Sequence, residues 1–163
     1  MPSPAFIMEP RDGKAIHVVG DEVIVKVSSH DTDGAFAVFE GRTQPHHGPP
    51  LHLHRDEDEV WRVLEGEYLF EVDGEEIYAG PGATVYAPRG TRHTFQNIGR
   101  TPGRLVTTVV PGGLDLFFEE LEGIAPRGSS LEPAKAVPLF EKYGLELHGP
   151  PLAERKVAAS AAD

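Results

Sequence analysis

The chain has no cysteine in 163 residues. That excludes a disulfide framework, a thiolate nucleophile and a thiolate-ligated zinc site. Basic residues are also scarce, 15 Lys and Arg against 26 Asp and Glu, for a formal net charge of −11. A surface of that sign repels nucleic-acid phosphates and anionic headgroups, so neither nucleic acid nor membrane is expected as a partner. No apolar run is long enough to span a bilayer. The opening Met1-Pro2-Ser3-Pro4-Ala5-Phe6 has neither the basic region nor the apolar core of a secretion signal. The expectation is a cytoplasmic protein.

Turn formers, by contrast, are plentiful: 18 Gly and 15 Pro. They punctuate short alternating apolar runs, which points to many strands rather than disorder. The length suits one domain with its own core. Strands are expected over 15–20, 22–28, 35–41, 68–72, 75–78, 84–87, 92–97 and 105–110, besides those around residues 52 and 59. Asp73-Gly74 is a strong hairpin signal. This spacing suggests a sandwich or barrel, an all-β fold. Helix is expected over 113–123, where Leu114, Phe117, Phe118 and Leu121 recur at helical spacing and Gly123 can end the run. That stripe reads as packing against the β-structure. Residues 133–144 form a weaker helical pattern because Pro138 falls inside it. Residues 152–163, small, polar and Ala-rich, read as a frayed tail.

The chemistry is concentrated in two stretches. In Leu51-His52-Leu53-His54, alternate side chains share a face, so two imidazoles can reach one ion while Leu53 points away. Arg55-Asp56-Glu57-Asp58 reads as a solvated turn. A hairpin would then return Glu59 beside the histidines. His93 would join them from a facing strand. Imidazole nitrogen and carboxylate oxygen suit first-row transition metals. Strand parity extends the picture. If Glu59 points inward, so do Trp61 and Val63. If His93 does, so do Phe95 and Asn97. Pro50 follows His52 inward, and Arg62 and Arg92 point out. Trp61, Val63 and Phe95 are thus candidate pocket residues, and no Arg or Lys is sent inward to meet a phosphate. An apolar or aromatic small molecule that chelates through oxygen fits better. Asn97 reads as a backbone hydrogen-bonding residue. His46 and His47 lie in a loop beside the site, solvated by default or lining its mouth as acid or base. His17, His30 and His148 read as structural or surface residues.

These residues resemble the two signature motifs of the cupin superfamily. His52, His54, Glu59 and Gly66 match the first; Gly82, Pro88, Gly90, His93 and Asn97 match the second. One departure is that Gly48 stands closer to the first histidine than usual, because only Pro49-Pro50-Leu51 intervene. That variant is similar to single-domain cupins of the quercetin dioxygenase kind. The resemblance implies a double-stranded β-helix, or jelly-roll barrel, over residues 1–151, including the N-terminal strands and a C-terminal helical cap, with 152–163 as a tail. It implies a homodimer and one divalent transition metal (Fe, Mn, Ni, Co, Cu or Zn) held by His52, His54, Glu59 and His93. The implied activity is an oxygenase using O2 on an aromatic or diketone-type molecule chelated at the metal, with Glu59 as ligand or catalytic base. Two alternatives are a non-redox metal-dependent isomerase, lyase or hydrolase and a small-molecule-binding module without turnover.

Overall fold

Alternating apolar runs become strands wherever a glycine or a polar pair lets the chain reverse. The computed structural model describes residues 1–127 and 131–160, the last four by backbone alone. Eleven strands and three helices occur among them. The strands are β1 (Lys14–Val18), β2 (Asp21–Val27), β3 (Ala37–Thr43), β4 (Pro50–His54), β5 (Asp58–Glu65), β6 (Tyr68–Val72), β7 (Glu75–Ala79), β8 (Thr84–Ala87), β9 (His93–Asn97), β10 (Gly103–Val110) and β11 (Leu145–Pro151). The helices are α1 (Leu114–Ile124), α2 (Pro133–Lys142) and α3 (Leu152–Ser160).

Six strands form one sheet in the order β1-β2-β3-β10-β5-β8, and five form the other in the order β11-β4-β9-β6-β7. All pairings are antiparallel. The architecture is a jelly roll of two facing sheets, not a barrel closed by continuous hydrogen bonding. Trp61, Val63, Val85 and Leu105 of the first sheet pack against Tyr68, Phe70 and Ala79 of the second. Each large apolar side chain so buried stabilises the fold by about 1.5–3 kcal/mol. The β6–β7 turn is as expected: Asp73 and Gly74 both take positive φ, 48° and 88°, matching the right-handed twist of a two-residue hairpin.

The helices close one end. Leu114, Phe117 and Leu121 of α1, with Leu139 and Phe140 of α2, join Ile16, Val25, Phe39 and Val109 of the six-stranded sheet and Leu145 of β11. Gly123 lies inside α1 instead of ending it. Pro138 is accommodated within α2 because it lies on the exposed side, where water can satisfy the carbonyl it leaves unbonded. Two elements differ from the sequence reading. β11 was hidden by Gly149-Pro150-Pro151, yet it is an edge strand, where proline costs no interior ladder, and its register against β4 shifts at Gly149 and Pro151. Residues 152–160, expected to fray, form α3. Leu152 is buried there, and Arg155 pairs with Glu71 at 3.0 Å. The remainder of that expected tail, 161–163, lies outside the described residues. No helix among the described residues is long and apolar enough to cross a membrane.

Candidate metal centre

β4 carries His52 and His54 on one face, and β9 lies beside it with His93 paired directly to His52. Glu59 does not return in a hairpin. β4 and β5 belong to different sheets, so Glu59 reaches the histidines across the interior. His93, in turn, comes from the neighbouring strand rather than a facing one. The four side chains bring one donor atom each to within 4.8 Å of one another. His52 Nε2 lies 3.2 Å from His54 Nε2, and Glu59 Oε2 lies 3.2 Å from the Nε2 atoms of both His54 and His93.

The outer ring nitrogens explain the aim of the rings. His52 Nδ1 donates to the Pro50 carbonyl at 2.8 Å, and His93 Nδ1 donates to the Thr91 carbonyl at 3.0 Å. With that N–H held outside, each of these two rings turns its Nε2 to the centre. Such a focus of lone pairs and one carboxylate demands a cation. In the metal-free state a proton serves. Burial alone opposes a charge on His54, but the carboxylates of Glu59 and Glu57 outweigh it and hold this imidazole at about 9. Burial also works against a charged Glu59, yet His54 and His93 keep its carboxyl well below the usual range. His52 goes the other way: burial, then the neighbouring His93 and His54, push it well below its ordinary value. Spacings of 3.2 Å between inward donors are bridgeable by one ion with bonds of about 2.0–2.2 Å. The cluster can therefore hold a metal ion, and its donor chemistry fits a divalent transition metal.

The surroundings are fixed by backbone contacts. Asn97, fully buried, donates from Nδ2 to the carbonyls of Thr43 and Thr101 and accepts from the Gly99 N–H at Oδ1. That is the backbone role expected for it. Arg89 grips Asp58 at 2.9 and 3.1 Å, tying the start of β5 to the loop before β9. Glu57 departs from the sequence reading. It is buried, with Oε2 at 3.5 Å from His54 Nδ1. Inside the run Arg55 to Asp58 nothing in the sequence distinguishes it; only its place three residues beyond His54 could have suggested the contact.

A cavity of about 670 Å³ opens onto the centre. His52, His54 and Glu59 border it together with Trp61, Phe95, Phe39, Leu105, Phe117, Phe118 and Phe140. Trp61 and Phe95 border it. Val63, on the same face as Trp61, is buried in the apolar cluster behind and does not border the cavity. Arg42 corrects the expectation of no cation: it borders the cavity, where its guanidinium lies 3.6 Å from Glu22 and 3.8 Å from Glu40. Its charge is already matched. His46 and His47 are both exposed and border the cavity. His47 Nδ1 lies 3.3 Å from Asp21, whose Oδ1 also accepts the Gln44 N–H. Burial lifts the Asp21 carboxyl above its usual value despite those partners. His17 and His148 sit beside surface carboxylates, and His30 is exposed.

Residues 39–110 match the family model of the cupin domain. The chain is similar to the quercetin 2,3-dioxygenase of Bacillus subtilis, 26% identical over 117 residues, which are 71% of this chain and 34% of that protein. It is similar to the oxalate-binding protein of Thermotoga maritima, 25% identical over 108 residues, 66% of this chain and 87% of that protein. The chain thus spans only about a third of the Bacillus relative. Among solved structures, an RmlC-like cupin from Shewanella frigidimarina superposes with a TM-score of 0.60 at 19% identity, covering 71% of this chain and 99% of that one. That likeness concerns the fold. Both histidine motifs lie within the matched residues, and the jelly roll brings them together, so residues 39–110 are a cupin domain.

Proposed function

We propose that the protein is a metal-dependent cupin oxygenase. On this reading it holds one divalent transition metal at His52, His54, Glu59 and His93 and acts with O2 on an aromatic or diketone-type molecule. The observation that carries the proposal is the convergence of three Nε2 atoms and one carboxylate oxygen beside a cavity of about 670 Å³ with mostly apolar walls. The similarity to a quercetin 2,3-dioxygenase supports it. A bound ion of this class polarises chelating oxygens and, when redox-active, supplies electrons to oxygen chemistry.

The chain's own residues do the rest. Trp61, Phe95 and Phe39 give the ligand an apolar bed and exclude water from the centre. Glu59 is ionised throughout the neutral range and offers its Oε2 to a cation beside the imidazoles, and the same lowering makes it a ligand rather than a base. Arg42, already between Glu22 and Glu40, offers no free charge to a phosphate, which weighs against phosphorylated substrates. The polar end of the ligand would meet His47 and Asp21 at the rim. The test is O2 uptake by protein loaded with Fe, Mn, Ni, Co or Cu, each screened against flavonols, diketones and catechols. Uptake supports the oxygenase. Turnover without O2 moves the protein to the non-redox class. A second reading, binding without turnover, draws on the similarity to an oxalate-binding protein. A compound that raises the melting temperature and is recovered unchanged would favour it.

A further inference from the structure

Glu57 is a carboxylate in the wrong place for a surface turn. Only 8% of the residue is exposed, and burying a carboxylate is costly unless a partner compensates it. No Lys or Arg among the described residues forms an ion pair with it; its one such contact is His54, Oε2 to Nδ1 at 3.5 Å. Neither atom has a hydrogen-bond partner among the described residues, so the two buried polar atoms face each other across 3.5 Å with nothing else to satisfy them. The ring's other nitrogen, Nε2, faces His52 and Glu59 in the centre. His52 and His93 hold their Nδ1 protons on backbone carbonyls. His54 has a carboxylate in the corresponding place.

The turn that carries Glu57 is pinned on three sides. Arg55 N–H donates to the Gly144 carbonyl at 2.9 Å, Gly90 N–H donates to the His54 carbonyl at 2.7 Å, and Asp58 is gripped by Arg89. The carboxylate is therefore not free to swing into solvent with the turn. A carboxylate behind a ligating imidazole fixes its tautomer and makes it a stronger donor, and loss of such a partner typically costs about 10–100-fold in metal affinity.

We infer that Glu57 is a positioning residue of the centre: its carboxylate holds the Nδ1 proton of His54 and so directs Nε2 of that ring at the ion. This rests on the metal-binding reading above. Glu57 touches neither the ion nor the substrate and acts only through His54. Its negative charge also means that two carboxylates, Glu59 within the centre and Glu57 behind it, balance a divalent ion.

The test uses Co(II) alone as the probe, with wild-type protein, Glu57→Gln and Glu57→Ala. Glu57→Ala should bind Co(II) about 10–100-fold more weakly. Glu57→Gln keeps an acceptor without the charge and should fall between. A role confined to stability would change the unfolding midpoint without this ordering. In the Co(II) protein, the exchangeable Nδ1–H resonance of His54 should be protected from solvent in the wild type and lost or fast-exchanging in Glu57→Ala. Affinity within twofold of wild type in a folded Glu57→Ala, with that resonance unchanged, would overturn the inference. Should the wild type take up no Co(II), the metal reading fails separately. The neutral His54 tautomer, read by nitrogen NMR at alkaline pH, then decides: a proton on Nδ1 that moves to Nε2 in Glu57→Ala supports the inference, and an unchanged tautomer overturns it.

Discussion

Replacing Gly48 by alanine probes how the chain brings the two motifs together. A Cβ at this position would lie 2.8 Å from the carbonyl carbon of Phe95 and 3.2 Å from Cα of Gln96, with the Phe95 carbonyl oxygen closer still. All three are backbone atoms of β9, so no flexible side chain can yield. Either β9 or the segment leading into β4 must move. Overpacking of this kind costs about 1–3 kcal/mol. Two backbone bonds hold the same crossing, His46 N–H to the Asn97 carbonyl at 2.8 Å and Asn97 N–H to the His47 carbonyl at 3.0 Å; straining each adds about 0.5–1.5 kcal/mol. A loss near 3 kcal/mol is expected, or a fall in melting temperature of about 6–12 °C for a chain of this size. Because β9 carries His93 and β4 carries His52, Co(II) affinity should fall with it. The assay is urea and thermal unfolding of metal-free protein, with Gly80→Ala as control, since nothing lies within 4 Å of a Cβ there. A Gly48→Ala protein within about 0.5 kcal/mol of wild type, the range of an ordinary surface change, would refute the reasoning.

Other outcomes are as specific. Gly123→Ala, on the exposed side of α1 with open space around its Cβ, should stabilise the protein by about 0.5–1 kcal/mol in urea unfolding, because glycine is a poor helix former. Trp61→Ala empties a site that is 1% exposed and should cost about 3–5 kcal/mol by the same measurement. In the metal-free protein the raised His54 contributes stability that is complete below its ordinary 6.5 and is lost as pH rises through about 9. The lowered Glu59 contributes stability present above 4.5 and lost as pH falls through its folded value. Urea midpoints should therefore decline from about pH 6.5 to about 9, and again as pH falls below 4.5; a midpoint constant between pH 6.5 and 9 would contradict the His54 assignment. Metal uptake near neutral pH should release about one proton, from His54, visible by calorimetry in buffers of different ionisation enthalpy.

Much of the centre was legible because its logic is local. His52 and His54 share a face by strand period alone, and the parity of β5 carries Glu59 and Trp61 inward together. What escaped was long-range. Which sheet each strand joins is not written in its period, so the hairpin expected between β4 and β5 was not distinguished from the crossing to the opposite sheet. β11 was masked by prolines that only an edge position tolerates. Glu57 and Asp21 carry the same signal as any solvated acid, and their burial depends on residues far away, Gly144 and Gly90 around the first, Gln44 and His47 around the second. Arg42 escaped for a similar reason: its contact with the cavity depends on assembled strand ends rather than on its own strand.

The most direct test of the centre is elemental analysis of protein purified without a metal-binding tag, alongside His93→Ala and His46→Ala. The account predicts close to one transition-metal ion per chain in the wild type and in His46→Ala, and sharp loss in His93→Ala, whose Nε2 faces Glu59 at 3.2 Å. No metal in the wild type even after reconstitution, or equal loss from His46→Ala, would contradict it.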